Sequence, residues 1–225
     1  MITDEANNVL NNDINKNSEE EIISALEKRI MTTLSVKRAK HTMGVADECV
    51  KLGRIFLPEE SIHDIRCAGL LHDVTKELSP EEQRKKCERY GYELSRYDIL
   101  AKGILHSISG SLAAKHEFGL NDEICGAIRY HTTGKADMTT FEKILFIADY
   151  IEAGRTEKVC VSMRNNLYKQ LGKAKNHADK LCVLDKCIFI TLNNTLNELI
   201  ENHKFIHTDT VEARNYYMLL FKDTF

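Results

Sequence analysis

Six side chains carry the chemistry this sequence offers: His41, His72, Asp73, His106, His131 and Asp149. The densest signal is Leu70-Leu71-His72-Asp73-Val74-Thr75-Lys76. An imidazole and a carboxylate side by side in an apolar helical run are costly to bury unless something satisfies both, and a divalent cation does so. Neighbouring helix positions differ by about 100°, so two consecutive side chains can address one ion from different directions. The second oxygen of Asp73 is then free to bridge to another ion. Asp149 stands in Ile147-Ala148-Asp149-Tyr150-Ile151, where a lone carboxylate needs a cation or hydrogen-bond donors. His41 lies within a helical pattern, His106 follows Ile104-Leu105, and His131 ends a helix before Thr132-Thr133-Gly134. Any one of these histidines is more often a hydrogen-bonded core or surface residue than a ligand. The ordered set, each member at an apolar break, is much harder to obtain by chance.

One octahedral ion is expected at His41, His72, Asp73 and Asp149, with room left for water. His106 and His131 supply what a second ion requires, with Asp73 as the bridge. Mixed imidazole and carboxylate ligation suits iron or manganese better than magnesium. Two ions about 3.5–4 Å apart activate a water and clamp phosphate oxygens. Three cations stand close in sequence to these ligands. Arg38 is one turn before His41, Lys76 is four residues after His72 and on its face if the helix continues, and Arg155 is six after Asp149. Taken singly each is an ordinary surface charge. Together they suggest phosphate binding.

The elements that must position these groups are helices. Ile22, Ile23, Leu26, Ile30 and Leu34 recur at helical spacing from Glu20 onward. Ser35 is placed to cap a second helix, which Gly53 and Phe56-Leu57-Pro58 end. Ser61-x-x-Asp64 resembles a capping box and opens a helix running to His72. Ser79-Pro80-x-Glu82 opens a charged helix that Gly91 stops. Residues 98–118 form a helical stretch broken near Gly103 and ended by Gly119. Asn121 caps the next, which ends near His131. Thr139-x-x-Glu142 is a full capping box leading to Asp149. Further helices are expected over 159–175 and 177–204, with a short last one from about Asp209. Two prolines in 225 residues, and no hairpin signals, argue against an all-β fold.

Composition narrows the function classes. Net charge is −3 and pI near 6.3, so no global pull toward nucleic acid or anionic lipid exists. No apolar run is long enough to span a bilayer and the N-terminal stretch has no signal-peptide core. Seven cysteines without CxxC pairs are expected as reduced thiols in a cytoplasmic protein. Residues 1–19, rich in Asn, Asp and Glu, are expected as a flexible arm, with one helical domain over 20–225. A homodimer is left open.

Several longer words carry a resemblance. They are Lys37-Arg38 through Val45-Ala46, Ala68-Gly69-Leu70-Leu71-His72-Asp73 with Lys76, and Leu105-His106 with Gly110. Ala127-Ile128 with His131-Thr132-Thr133-Gly134 follows, then Lys143-Ile144 and Ala148-Asp149-Tyr150-Ile151-Glu152 with Arg155. The tail His207-Thr208-Asp209-Thr210-Val211-Glu212-Ala213-Arg214-Asn215-Tyr216 completes the set. From about residue 20 to the end, the chain resembles the HD-domain metal-dependent phosphohydrolases. Within these it is most similar to the bacterial YqeK-type symmetrical bis(5′-nucleosyl)-tetraphosphatases. It departs from their pattern at Ala153, where proline is common.

The resemblance implies an all-α HD-domain bundle with a dinuclear centre, most often iron, in its core. It implies hydrolysis of diadenosine tetraphosphate and related dinucleotides to two nucleoside diphosphates. Asp73, Lys76 and Arg155 are then the catalytic candidates, and Arg38, Lys76, Thr132 and Arg155 the substrate contacts. Two other readings stay open. One is an HD-type hydrolase acting on a nucleoside monophosphate, a guanosine alarmone or a cyclic nucleotide. The other is a non-catalytic helical module whose polar cluster is structural.

Overall fold

The computed structural model describes residues 19–222, so the expected N-terminal arm lies, apart from Glu19, outside the described residues. Among the described residues there are eleven α-helices, two 3-10 turns and no strand. They are α1 (Glu19–Thr33), α2 (Val36–Phe56), α3 (Ile62–Leu71), α4 (Pro80–Arg89), α5 (Arg96–Leu100) and α6 (Leu105–His116). Then follow α7 (Asp122–Tyr130), α8 (Thr140–Ile151), α9 (Lys158–Leu171), α10 (His177–Glu201) and α11 (Thr208–Leu220).

Local chemistry sets most of the helix starts. The Ser79, Ser95 and Thr139 side chains each accept from the third backbone N–H of their helix, while Glu82, Asp98 or Glu142 returns to the cap, closing full capping boxes. Ser35 and Asn121 cap α2 and α7 through one side-chain bond each. Three expectations need correction. Gly53 does not stop α2, which runs on to Phe56 and ends where Leu57 turns extended ahead of Pro58. Ser61 makes no side-chain cap, because a 3-10 turn (Glu59–Ser61) already leads into α3 and Asp64 is taken by Asn121 at 2.8 Å. The last helix starts at Thr208 with His207, not Asp209, as its cap.

The core is built around α2, α3 and α8. α2 packs on both α3 and α8, α1 closes over α3, and α7 joins α6 to α8. Ile144, Leu145, Ile147, Ala148 and Ile151 make α8 apolar nearly all round, so it sits at the centre. Each fully buried Leu or Ile contributes about 1.5–3 kcal/mol. α2 and α3 approach closely: a Cβ on Gly69 would lie 2.6 Å from Ala46 Cα. Only a residue without a side chain permits that approach, and it brings the His41 and His72 rings to 5.5 Å.

Candidate metal centre

Helix ends deliver most of the polar groups into this apolar core. His72 and Asp73 follow the last residue of α3, His106 is the second residue of α6, and His131 follows α7. His41 comes from the first half of α2 and Asp149 from the last turn of α8. Gly134, at φ +65°, closes the turn after His131, its N–H donating to Tyr130 O at 2.8 Å.

All six meet. Asp73 stands between two pairs of imidazoles. Its Oδ2 faces His72 Nε2 at 3.5 Å and His41 Nε2 at 3.8 Å, and its Oδ1 faces His106 Nε2 at 3.3 Å and His131 Nε2 at 3.8 Å. Asp149 Oδ1 lies 3.0 Å from His41 Nε2 and 4.0 Å from His72 Nε2. Three overlapping ligand groups result: His41, His72 and Asp73; His72, His131 and Asp149; and Asp73, His106 and His131.

The donor set suits divalent cations. The Nδ1 atoms of His72 and His131 are engaged with the carbonyls of Gly69 and Ile128, each at 2.7 Å. A carbonyl only accepts, so those nitrogens carry the protons and both Nε2 lone pairs point inward. The buried Nε2 atom of His72 has no hydrogen-bond partner, and that of His41 faces only carboxylates, Asp149 Oδ1 at 3.0 Å the nearer. His106 and His131 bring two Nε2 atoms within 3.1 Å of one another. Lone pairs and carboxylates crowded together in this way call for positive charge.

Electrostatics point the same way. Burial, with the Lys76 charge next, pushes His106 well below the ordinary imidazole range, and burial with His72 pushes His131 to about 4. Burial opposes ionisation of Asp73, yet His72, His106 and Lys76 outweigh it and hold the carboxyl well below its usual range. Burial likewise opposes a proton on His41, but Asp149 and Glu152 lift its pKa to about 9. The same two carboxylates favour any cation at His41, whether proton or metal.

The three basic residues line the mouth. Arg38 Nη1 donates to Asp73 Oδ2 at 2.7 Å, and Arg155 Nη2 donates to Asp149 Oδ1 at 2.8 Å. Lys76 Nζ is 3.0 Å from His106 Nε2. Their side chains stay 29%, 34% and 35% exposed for Arg38, Arg155 and Lys76, so an incoming anion can reach all three. Lys76 arrives by a route other than the expected one. α3 ends at Leu71, and bonds from Val74 N to Leu71 O, Lys76 N to Asp73 O and Leu78 N to Thr75 O wind residues 72–78 into successive tight turns. Thr132 Oγ1 lies 3.1 Å from His131 Nε2 and 3.2 Å from His106 Nε2.

Two supporting residues, Glu152 and Arg164, have roles that only the fold reveals. Glu152, buried, is 3.2 Å from His41 Nδ1 and so orients that ring. The Arg164 guanidinium donates to the carbonyls of Ile151, Glu152 and Arg155, tying the segment that carries both Glu152 and Arg155 to α9. Glu152 belongs to the Ala148–Glu152 word, which was a usable signal. Arg164 had none, one arginine among many charges.

Comparison with known proteins identifies the family. The HD domain family profile matches residues 38–154, which span His41 to Asp149. A Staphylococcus aureus protein named symmetrical bis(5′-nucleosyl)-tetraphosphatase is 35% identical over 82% of this chain and 88% of its own length. The chain belongs to the HD family, in the branch of these tetraphosphatases. A Halalkalibacterium halodurans protein of the same name is 30% identical to this HD chain over 83% of it and 91% of the relative. A crystal structure from Clostridium acetobutylicum, described as a predicted HD superfamily hydrolase involved in NAD metabolism, superposes with a TM-score of 0.76. It is 35% identical and covers 88% of this HD chain and 97% of its own.

Proposed function

We propose that this protein cleaves dinucleoside tetraphosphates, diadenosine tetraphosphate foremost, symmetrically into two nucleoside diphosphates, on one HD-type helical domain running from residue 20 to the C-terminus. The observation that carries the chemistry is Asp73, whose two oxygens each face a separate pair of inward-pointing imidazoles. The substrate follows from the tetraphosphatase relatives, which match this chain over more than four-fifths of its length.

His41, His72, Asp73 and Asp149 would hold one divalent ion, and His106 and His131, together with Asp73, would hold a second. The donor set favours iron, with manganese the next choice. Bound ions supply the Lewis acidity that activates water and neutralises phosphate charge. The chain's own residues do the rest. Arg38, Lys76 and Arg155 draw the polyphosphate over the cluster. Lys76 and Arg155 offset the charge that develops on the phosphate oxygens and on the departing diphosphate. The Thr132 hydroxyl donates to a phosphate oxygen. Glu152 keeps the His41 ring turned so that its Nε2 faces inward. Among the described residues no helix is long and apolar enough to cross a membrane. Seven free thiols support a cytoplasmic location.

The test is product analysis on diadenosine tetraphosphate with iron(II) or manganese, coupled to metal quantification of the purified protein. ADP as the sole nucleotide product is expected, with iron co-purifying. Equal AMP and ATP rejects the symmetrical cut. Faster turnover of a monophosphate, an alarmone or a cyclic nucleotide assigns the site to a different substrate. Protein that neither contains nor takes up metal is a structural module instead.

A further inference from the structure

Two clefts meet Thr132 beside the ligand cluster, one lined by Glu198 of α10 and one by Leu199. The first, about 520 Å³, passes over Asp149 and Arg155 toward Val159. The second, about 440 Å³, is walled by Leu100, Ile104, Leu199 and Phe205, with Lys102 and Lys204 on its lining. Thr132 and Thr195 line both, and Thr132 Oγ1 lies 3.2 Å from His106 Nε2 and 3.1 Å from His131 Nε2, so both clefts reach the edge of the cluster. Glu198 of the first cleft and Lys204 of the second pair at 3.4 Å across the end of α10.

The second cleft uses none of the six candidate ligands. Its walls are mostly apolar, and its two lysines suit an anion entering from the metal side. Phe205 is 41% exposed, and its ring centroid lies 6.2 Å from that of Tyr97, so the cleft already carries a pair of aromatic rings at its edge. The cleft is also built on the ligand frame, since Ile104 is two residues before His106. Given the dinucleotide reading above, on which this step rests, a substrate with a nucleoside at each end of one polyphosphate needs two recesses flanking the cations.

We propose that the Phe205 cleft holds one nucleoside, its base stacked on the Phe205 ring, while the cleft over Asp149 and Arg155 holds the other. Selectivity for dinucleotides over mononucleotides then resides in a wall made by the turn before α6 and by the segment after α10. Binding is asymmetric even though the cut is symmetric: the two ends of one substrate meet different surfaces.

Gly103 gives a clean probe. Gly103 lines the cleft and a Cβ there meets nothing within 4 Å, so Gly103→Leu adds bulk to the lining with no clash at its Cβ. Phe205→Ala removes the ring from an exposed position. Both variants and the wild type, as metal-loaded full chains of matched Tm, are compared on diadenosine tetraphosphate and on adenosine 5′-tetraphosphate, which has the same four phosphates but one nucleoside. The ratio of kcat/KM for the dinucleotide to that for the mononucleotide is expected to fall roughly tenfold in each variant, the usual worth of one base–aromatic stack. A ratio unchanged in both variants, while the wild type still releases ADP, overturns the cleft assignment and leaves the hydrolase reading standing. A wild-type enzyme that fails to cleave the dinucleotide overturns both.

Discussion

Gly69→Ala tests whether the α2–α3 contact sets the geometry of the metal centre. The new methyl would lie 2.6 Å from Ala46 Cα and 3.0 Å from Ala46 N, both backbone atoms of a buried residue. Carbon atoms in contact prefer about 3.5–4.0 Å, so the helices must part by roughly 1 Å. Overpacking of this kind costs about 1–3 kcal/mol. For a chain of this size each kcal/mol lowers Tm by about 2–4 °C, which gives a fall of roughly 2–12 °C. The effect on catalysis is expected to be larger. His41 is carried by α2, and His72 stands three residues beyond Gly69, bonded through Nδ1 to its carbonyl. A shift of about 1 Å between these two rings is of the size that costs 10²-fold in rate. The assay pairs thermal denaturation with metal content and kcat/KM on diadenosine tetraphosphate. A variant that melts like the wild type and turns over at its rate would refute the claim that this helix contact positions the ligands.

Asp73→Ala is expected to lose metal and activity together, checked by metal quantification and product assay on one preparation; near-normal turnover would remove the bridging role. Lys76→Ala should keep its metal and lose roughly 10²-fold in kcat, so metal loss in that variant would place Lys76 in the structural frame instead. Arg164→Met strips the charged donor from three carbonyls, which should cost about 2–4 kcal/mol. It should also slow catalysis through Glu152 and Arg155, and Arg164→Lys should not rescue it, because an ammonium lacks the planar fork. Six of the seven cysteines are buried, and burial lifts Cys67 to about 12 and Cys87, Cys125 and Cys187 to about 11. A thiol reagent at pH 8 should therefore modify only Cys182 in the native chain and all seven after denaturation, counted by mass spectrometry.

What could be read in the sequence divides by the range of the interaction. Thr139-x-x-Glu142 and Ser79-Pro80-x-Glu82 were legible because a capping box is a contract between residues three apart, and no distant group competes for it. Ser61-x-x-Asp64 had the same look and failed because Asn121, distant in sequence, claims the carboxylate. Lys76 reached the site although its expected helix did not, since successive tight turns carry the chain forward in nearly the same sense. Arg164 stayed silent, and Glu152 was marked only by the word it stands in, because a buried charged residue and a surface one are written with the same letter. Glu152 is identified by His41, 111 positions away. The His72-Asp73 pair shows how the two ranges combine. Adjacency alone obliges both side chains to share one polar pocket. Which imidazole faces which oxygen of Asp73 is decided by α2, α6 and α7, through contacts such as Gly69 on Ala46 that no periodicity records. The two-sided environment of Asp73 is thus a tertiary property built on a local one. Shortening that carboxylate, or spreading the helices around it, should therefore disable the same site by different routes.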